Sequence, residues 1–275
     1  MKKSFDEAVV VVTGGASGIG ASLSMQLTSA GAKVIIVGRS SDNGAAQLAR
    51  MKKKGYEATF KVTDMTDVQA VEKLFGEIGS EYGKIDYVFN NAGVFMAGEI
   101  RDTPIENWQA TVNNNIWAVY NGTHFAYQYM LKQGNGHIVN VASAAGLFPV
   151  PIMGIYGSSK FAIVGLTHAL RNEAKGFGID VSVVCPTIVN TPLYDTATYN
   201  KVNKTKVLKS RNKLQTPDVA ATRILKGVSK NKQTIHTSVS TQIGWWAYKL
   251  VPSIYNIFAR KVLAGYRSRI RSKAK

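Results

Sequence analysis

The sequence predicts a single doubly wound α/β domain, a parallel sheet with helices on both faces, carrying a basic amphipathic helical extension at its C-terminal end. Three observations predict this. Short Val/Ile-rich apolar runs alternate with segments of helical length six times or more, the order that yields parallel strands joined by right-handed crossovers. The chain has 275 residues, 45% of them hydrophobic and 19% charged, enough to bury one substantial core and short for two. No internal repeat or low-complexity linker divides it, so residues 1–240 read as the domain and 241–275 as the extension.

The runs 8–13, 33–37, 58–62, 85–90, 137–142 and 181–185 are short and Val/Ile-rich, the signal of buried strands. Between them, 19–29, 45–54, 67–82, 105–131 and 156–175 have helical length. Residues 187–215 are rich in Thr, Tyr, Asn and Lys and show neither period, which reads as a functional loop or lid. A helix follows through 228, opened by Thr216-Pro217-Asp218, and 234–238 reads as a last strand. Beyond it, Trp245, Trp246, Leu250, Val251, Ile254, Ile257, Phe258 and Val262 recur at three- and four-residue steps, interrupted by Pro252. That spacing predicts a pair of short amphipathic helices.

Seven prolines and 9% aromatic residues exclude collagen-like and disordered classes. The lone Cys185 forms no internal disulfide and reads as core. His124, His137, His168 and His236 lack metal-ligand spacing and read as structural, so no metal is expected. The charged opening and the short apolar run 9–12 do not suit a signal-peptide core, and the expectation is a cytoplasmic chain. The net charge of +17 is unevenly placed: residues 1–200 hold 16 Lys+Arg against 16 Asp+Glu, and residues 201–275 hold 18 against one, Asp218. The last third must therefore meet an anionic partner or solvate a cationic face.

Thr13-Gly14-Gly15-Ala16-Ser17-Gly18-Ile19-Gly20 follows the first strand and opens the first helix. In that context glycines let backbone approach a pyrophosphate, and the helix N-terminus offers free N–H groups and a positive dipole end. Tyr156 and Lys160 stand at i and i+4, on one face of a helix. Bringing a tyrosine from ~10 to about 7 takes roughly 4 kcal/mol of preferential phenolate stabilisation, a bias that a nearby ammonium supplies. Ser143, thirteen residues upstream, follows the strand 137–142 and should emerge at the same carboxyl edge of the sheet as the glycine loop.

With Asn90-Asn91-Ala92-Gly93 after the fourth strand, these motifs in this order resemble the short-chain dehydrogenase/reductase family over residues 8–240, which implies a Rossmann-like fold and carbonyl–alcohol chemistry. By that resemblance Ser143 would hydrogen-bond the substrate carbonyl and Tyr156 would donate the proton. Lys160 would bind the nicotinamide ribose and acidify the tyrosine. In Asn113-Asn114-Asn115, the register places Asn115 as the fourth member, holding a water that links Lys160 to solvent, with Asn114 the nearest competitor.

The resemblance also implies a cofactor site of Gly14, Ser17, Gly18, Ile19 and Gly20, with Asp64 beside the adenine and Asn91, Ala92 and Gly93 along the sheet end. Pro186, Ile188 and Thr191, in a PGxxxT-like segment where Thr187 replaces glycine, would hold the carboxamide. At the end of the second strand Arg39 stands where an NAD-binding fold places an acid. Its guanidinium, with Ser40 or Ser41, suits a 2′-phosphate, so NADP(H) is the expected cofactor, although Ser17 occupies a place that is basic in many NADP-preferring relatives. A homodimer or homotetramer is the family's habit.

Phe95, Met96 and the stretch from Leu147 through Phe148, Pro149, Val150, Pro151 and Ile152 to Met153 are expected to line an apolar pocket, favouring a lipid, acyl or steroid-like carbonyl or alcohol. Residues 260–275 hold seven Lys+Arg and no acid, directly after the Trp/Ile/Phe stretch. Peripheral membrane attachment is the preferred reading. Lys249 and Pro252 rule against a spanning helix, and the competing readings are a helix that covers the cleft or a dimer partner, then nucleic-acid binding. The functional alternative to an enzyme is a non-catalytic cofactor-sensing scaffold that recruits a partner through its basic end.

Overall fold

A computed structural model of the chain describes residues 5–209 and 214–271. In chain order its elements are β1 (Val9–Thr13), α1 (Gly18–Ser29), β2 (Lys33–Gly38), α2 (Ser41–Lys52), β3 (Thr59–Val62), α3 (Val68–Tyr82), β4 (Tyr87–Asn90), β5 (Met96–Ala97), α4 (Ile105–Val112), α5 (Ala118–Gln133), β6 (Gly136–Val141), α6 (Gly154–Glu173), β7 (Ile179–Cys185), β8 (Thr198–Tyr199), α7 (Lys204–Lys209), α8 (Pro217–Val228), β9 (Thr234–His236), α9 (Val239–Leu250) and α10 (Pro252–Arg269).

Seven strands form one parallel sheet in the order β3-β2-β1-β4-β6-β7-β9. β1 lies between β2 and β4, with Val10 opposite both Val34 and Tyr87. The chain winds outward in opposite directions from that point, which opens a crevice at the carboxyl ends of the strands. Alternate residues of β1 serve opposite layers: Val10 and Val12 pack with Leu23, Leu27 and Ile224, whereas Val9 and Val11 pack with Val71, Leu74 and Ile78. That two-sided burial is why β1 reads as a run of valines instead of an alternating pattern. Side chains set several helix starts: Ser40 accepts from the Asn43 N–H, Asp67 from Ala70 and Thr216 from Val219.

The structure departs from the expected elements in three places. The helix expected over 105–131 is α4 and α5 joined by a π-helical turn at Asn113–Trp117. The aperiodic segment is partly built: Pro192–Tyr194 is a 3₁₀ turn, β8 pairs with β5 in a small second sheet, and α7 follows. The C-terminal helices begin at Val239 and pack back onto the domain, with Tyr255 and Tyr266 buried. Among the described residues no helix is long and apolar enough to cross a membrane. Residues 1–4, 210–213 and 272–275, including part of the basic tail, lie outside the described residues.

Candidate active site

The glycine loop joins β1 to α1 at the mouth of the crevice. Gly14 and Gly18 hold φ of 63° and 52°, a region costly for any residue with a Cβ. A Cβ on Gly20 would lie 2.2 Å from the Gly14 carbonyl oxygen and 2.6 Å from Asn91 Nδ2, so loop, helix and the β4 end approach closer than any side chain permits. Ser17 is the N-cap of α1 but its hydroxyl caps no N–H. Gly18 and Ile19 line the cleft at the positive end of the helix dipole, a fit for a pyrophosphate, whereas Gly20 does not line it and packs beneath the loop.

Arg39 and Ser40 line the same cleft at the end of β2. Ser40 also accepts from Asn43 at 3.2 Å, which fixes its hydroxyl at the start of α2. Asp64 does not line the cleft: its Oδ1 accepts from the Thr66 N–H and hydroxyl at 2.9 Å each, and its Oδ2 lies 3.9 Å from Arg39. Two further cations were not singled out from sequence. Arg50 and Lys54 line the cleft with Asn43 and Gln47, and Arg50 donates to the Ala16 carbonyl in the glycine loop. The spacing of Asn43, Gln47 and Arg50 at four and three residues on α2, with Lys54 just past its end, was the available signal.

Asn91, Ala92 and Gly93 bind β4 to β1. The Asn91 amide donates to Thr13 O at 3.0 Å, and the N–H groups of Asn91 and Ala92 donate to Thr13 Oγ1 at 3.0 Å. Beneath them Asn90 donates to Asn140 at 2.8 Å, and Asn140 donates to Thr167, a buried polar link among β4, β6 and α6 that sequence analysis missed. Polar residues inside strand runs were its signal.

The π-helical turn decides between the asparagines. Asn115 is fully buried, whereas Asn114 turns outward to donate to Ala110 O. Asn115 Oδ1 accepts from the Val94 N–H at 2.7 Å, and its Nδ2 donates to Val94 O and Ser159 Oγ at 3.1 Å. Both ends of the amide are thus engaged by protein. The side chain fixes the loop after Gly93 to α6. A Cβ on Gly93 would lie 2.9 Å from Asn115 Oδ1 and 3.4 Å from Lys160 Nζ.

Ser143, Tyr156 and Lys160 converge on the cleft. Ser143 Oγ lies near enough to the Tyr156 phenol to favour its ionised form, and accepts from the Ala145 N–H at 3.2 Å. Tyr156 is buried, its ring edge-on to Phe95 at 5.0 Å. One turn along α6, Lys160 Nζ donates to Val141 O at 3.2 Å and lies 5.8 Å from the tyrosine ring centre. Burial pushes Tyr156 up to about 12, only partly offset by Ser143, and burial pushes Lys160 down to about 8. In both groups the loss of hydration is the largest contribution. Beside them, burial pushes the Cys185 thiol up to about 12, as suits a core residue.

Pro186, Ile188 and Thr191 line the cleft opposite the glycine loop, and Pro186 O accepts from the Ala144 N–H at 2.8 Å. Thr187 has no left-handed φ and donates its N–H to Thr237 Oγ1, so this turn needs no glycine. The cleft encloses about 1250 Å³, room for a dinucleotide and a substrate. Its substrate end is walled by Phe95, Phe148, Val150, Met153, Leu193 and Tyr194. Of the apolar residues expected there, Met96, Leu147, Pro149, Pro151 and Ile152 do not line it. Met96 is turned into β5 against Thr111, and Leu147 packs into the core with Val183 and Cys185. Leu193 and Tyr194, from the aperiodic segment, take their place.

The family model for short chain dehydrogenases matches residues 8–201. The chain belongs to that family. A 3beta-hydroxysteroid dehydrogenase of Mediterraneibacter gnavus is 35% identical over 190 residues, 69% of this chain and 68% of that protein. Among solved structures, a short-chain dehydrogenase/reductase of Burkholderia phymatum in complex with NAD aligns with a TM-score of 0.80 at 26% identity, covering 90% of this chain and 96% of that one. The apo form of LigD from Sphingobium aligns at 0.76 and 26%, covering 88% and 94%. As a short-chain dehydrogenase this chain is an oxidoreductase acting on alcohol and carbonyl groups with a nicotinamide cofactor.

Proposed function

We propose that this short-chain dehydrogenase is an NADPH-dependent carbonyl reductase, reversible as a secondary-alcohol dehydrogenase, whose substrate is a hydrophobic lipid, acyl or steroid-like compound. The observation that carries the reading is the meeting of Ser143, Tyr156 and Lys160 at the inner end of an apolar-walled cleft. A relative named for a 3β-hydroxysteroid supports the substrate class. Arg39, Arg50 and Lys54 along one rim support the 2′-phosphate, with Arg50 beside the glycine loop supplying the cation that Ser17 does not.

Bound in this cleft, the nicotinamide supplies the hydride and, once oxidised, a positive charge beside the phenol. The glycine loop and the α1 N-terminus would hold the pyrophosphate, Pro186 to Thr191 would hold the carboxamide, and Lys160 would bind the ribose. Ser143 donates to the substrate oxygen and orients it toward Tyr156. Tyr156 gives its proton to that oxygen as charge develops there, and Lys160 stabilises the phenolate left behind. The walls of Phe95, Phe148 and Tyr194 exclude water from the transfer. Pairing into a homodimer or homotetramer through α5 and α6 belongs to the same reading, supported by the exposed Trp117 and Phe161 next to and on those helices.

NADPH oxidation with a panel of hydrophobic ketones tests the proposal. Tyr156→Phe is expected to lose activity roughly 100- to 10,000-fold while still binding NADPH. Turnover confined to small hydrophilic sugars and polyols would refute the substrate class. No turnover by either protein would favour the cofactor-sensing scaffold instead.

A further inference from the structure

The two faces of the C-terminal helical pair are chemically opposite. The inner face is committed: Gly244 lies over Phe148, Tyr255 donates to the Pro149 carbonyl, and Tyr266 donates to Lys201 O. The outer face is apolar and uncovered. On α9, Val239, Ile243, Trp246 and Leu250 follow one another at four, three and four residues and are all exposed. On α10, Ile254, Ile257, Phe258 and Val262 continue the pattern, Ile254 and Phe258 each 63% exposed. Runs of this kind are rare on a protein surface that meets only water.

Charge decides what covers this face. Residues 239–271 contain no acid, and Lys249, Arg260 and Lys261 are exposed beside or within the stripe. A second copy of the chain would bring the same cations against them, a repulsive match. An anionic lipid surface complements both features, apolar side chains entering the acyl boundary while lysine and arginine heads reach the phosphates. We infer that α9 and α10 dock this protein on an anionic bilayer through their outer face, with Lys249, Arg260 and Lys261 at the lipid headgroups. The dock adjoins the active site, because Ser240 and Thr241, in the first turn of α9, line the cleft. A substrate dissolved in the bilayer then enters where the protein touches it, a consequence that rests on the hydrophobic substrate proposed above.

Flotation of the full chain with vesicles of phosphatidylcholine, with and without about a third phosphatidylserine, tests this. The chain is expected to float with the anionic vesicles and to release at high salt. Three cations at about fivefold each predict a preference of roughly 100-fold over neutral vesicles. The triple variant Lys249→Gln, Arg260→Gln, Lys261→Gln should lose that preference. Ile257→Asp with Phe258→Asp should stay unbound while reducing a water-soluble ketone at the wild-type rate, which shows that the variant is folded. Equal flotation of wild type and variants, or none by either, overturns the inference, as does a wild-type dimer that the aspartate variant dissociates without any lipid binding. Wild type that floats but reduces no lipid-dispersed ketone leaves the dock standing and refutes the substrate class instead.

Discussion

Replacing Glu99 by glutamine tests how the C-terminal helix is fastened beside the cleft. Glu99 is almost buried, only 8% exposed, and meets three guanidinium groups: Arg267 at 2.6 Å, Arg271 at 2.7 Å and Arg101 at 3.3 Å. Arg271 also reaches Asp102 at 2.8 Å, and Lys201 joins at 3.2 Å. The hydrogen bond from Arg267 is the main force that lowers the Glu99 carboxyl from 4.5 to about 2. At ~1.36 kcal/mol per tenfold change, that lowering caps the charge's contribution near ~3 kcal/mol. Arg267 is half exposed, so solvent screening reduces the expected loss in Glu99→Gln to about 1.5 kcal/mol at pH 7.

Because the folded carboxyl is lowered, this stability is complete above the unfolded value of about 4.5 and disappears as the pH falls toward 2. Urea unfolding of both proteins at pH 7 and pH 3 is the assay. The difference between them should shrink to less than half at the lower pH, and limited proteolysis should release the 252–271 region of the variant first. Equal midpoints at pH 7, or a difference that does not change with pH, would refute the claim that this charge cluster holds α10.

Two further outcomes follow from the site. Arg39→Asp should raise the KM for NADPH tenfold or more and narrow the preference over NADH, measured by initial rates with each cofactor; an unchanged ratio removes Arg39 from cofactor selection. Asn115→Ala leaves the Val94 N–H and carbonyl without their partner and removes one of the two bonds of the Ser159 hydroxyl, at a cost of about 2–4 kcal/mol, and calorimetry should show a Tm roughly 5–10 °C lower. A Tm within about 2 °C of wild type would mean that these groups find other partners.

The fold was legible because its signals are local. The central strand β1 is buried on both faces and is four valines and a threonine, and Gly14, Gly18 and Gly20 mark a place where backbone packs against backbone. The sequence by itself therefore determined the alternation of strands and helices, the glycine loop and the identities of Ser143, Tyr156 and Lys160, since residue type and spacing carry that chemistry. Distance along the chain does not carry desolvation or partnership. Only the tertiary structure decided that burial raises Tyr156 and lowers Lys160, and that Asn115 is spent on Val94 and Ser159. It alone placed Leu193 and Tyr194 rather than Met96 and Leu147 on the substrate wall, and brought Arg50 beside a loop thirty residues earlier in the chain. The same holds for the last helices: their amphipathic period was written in the residues, but which side meets the cleft follows from Tyr255 and Tyr266 finding partners more than sixty residues away.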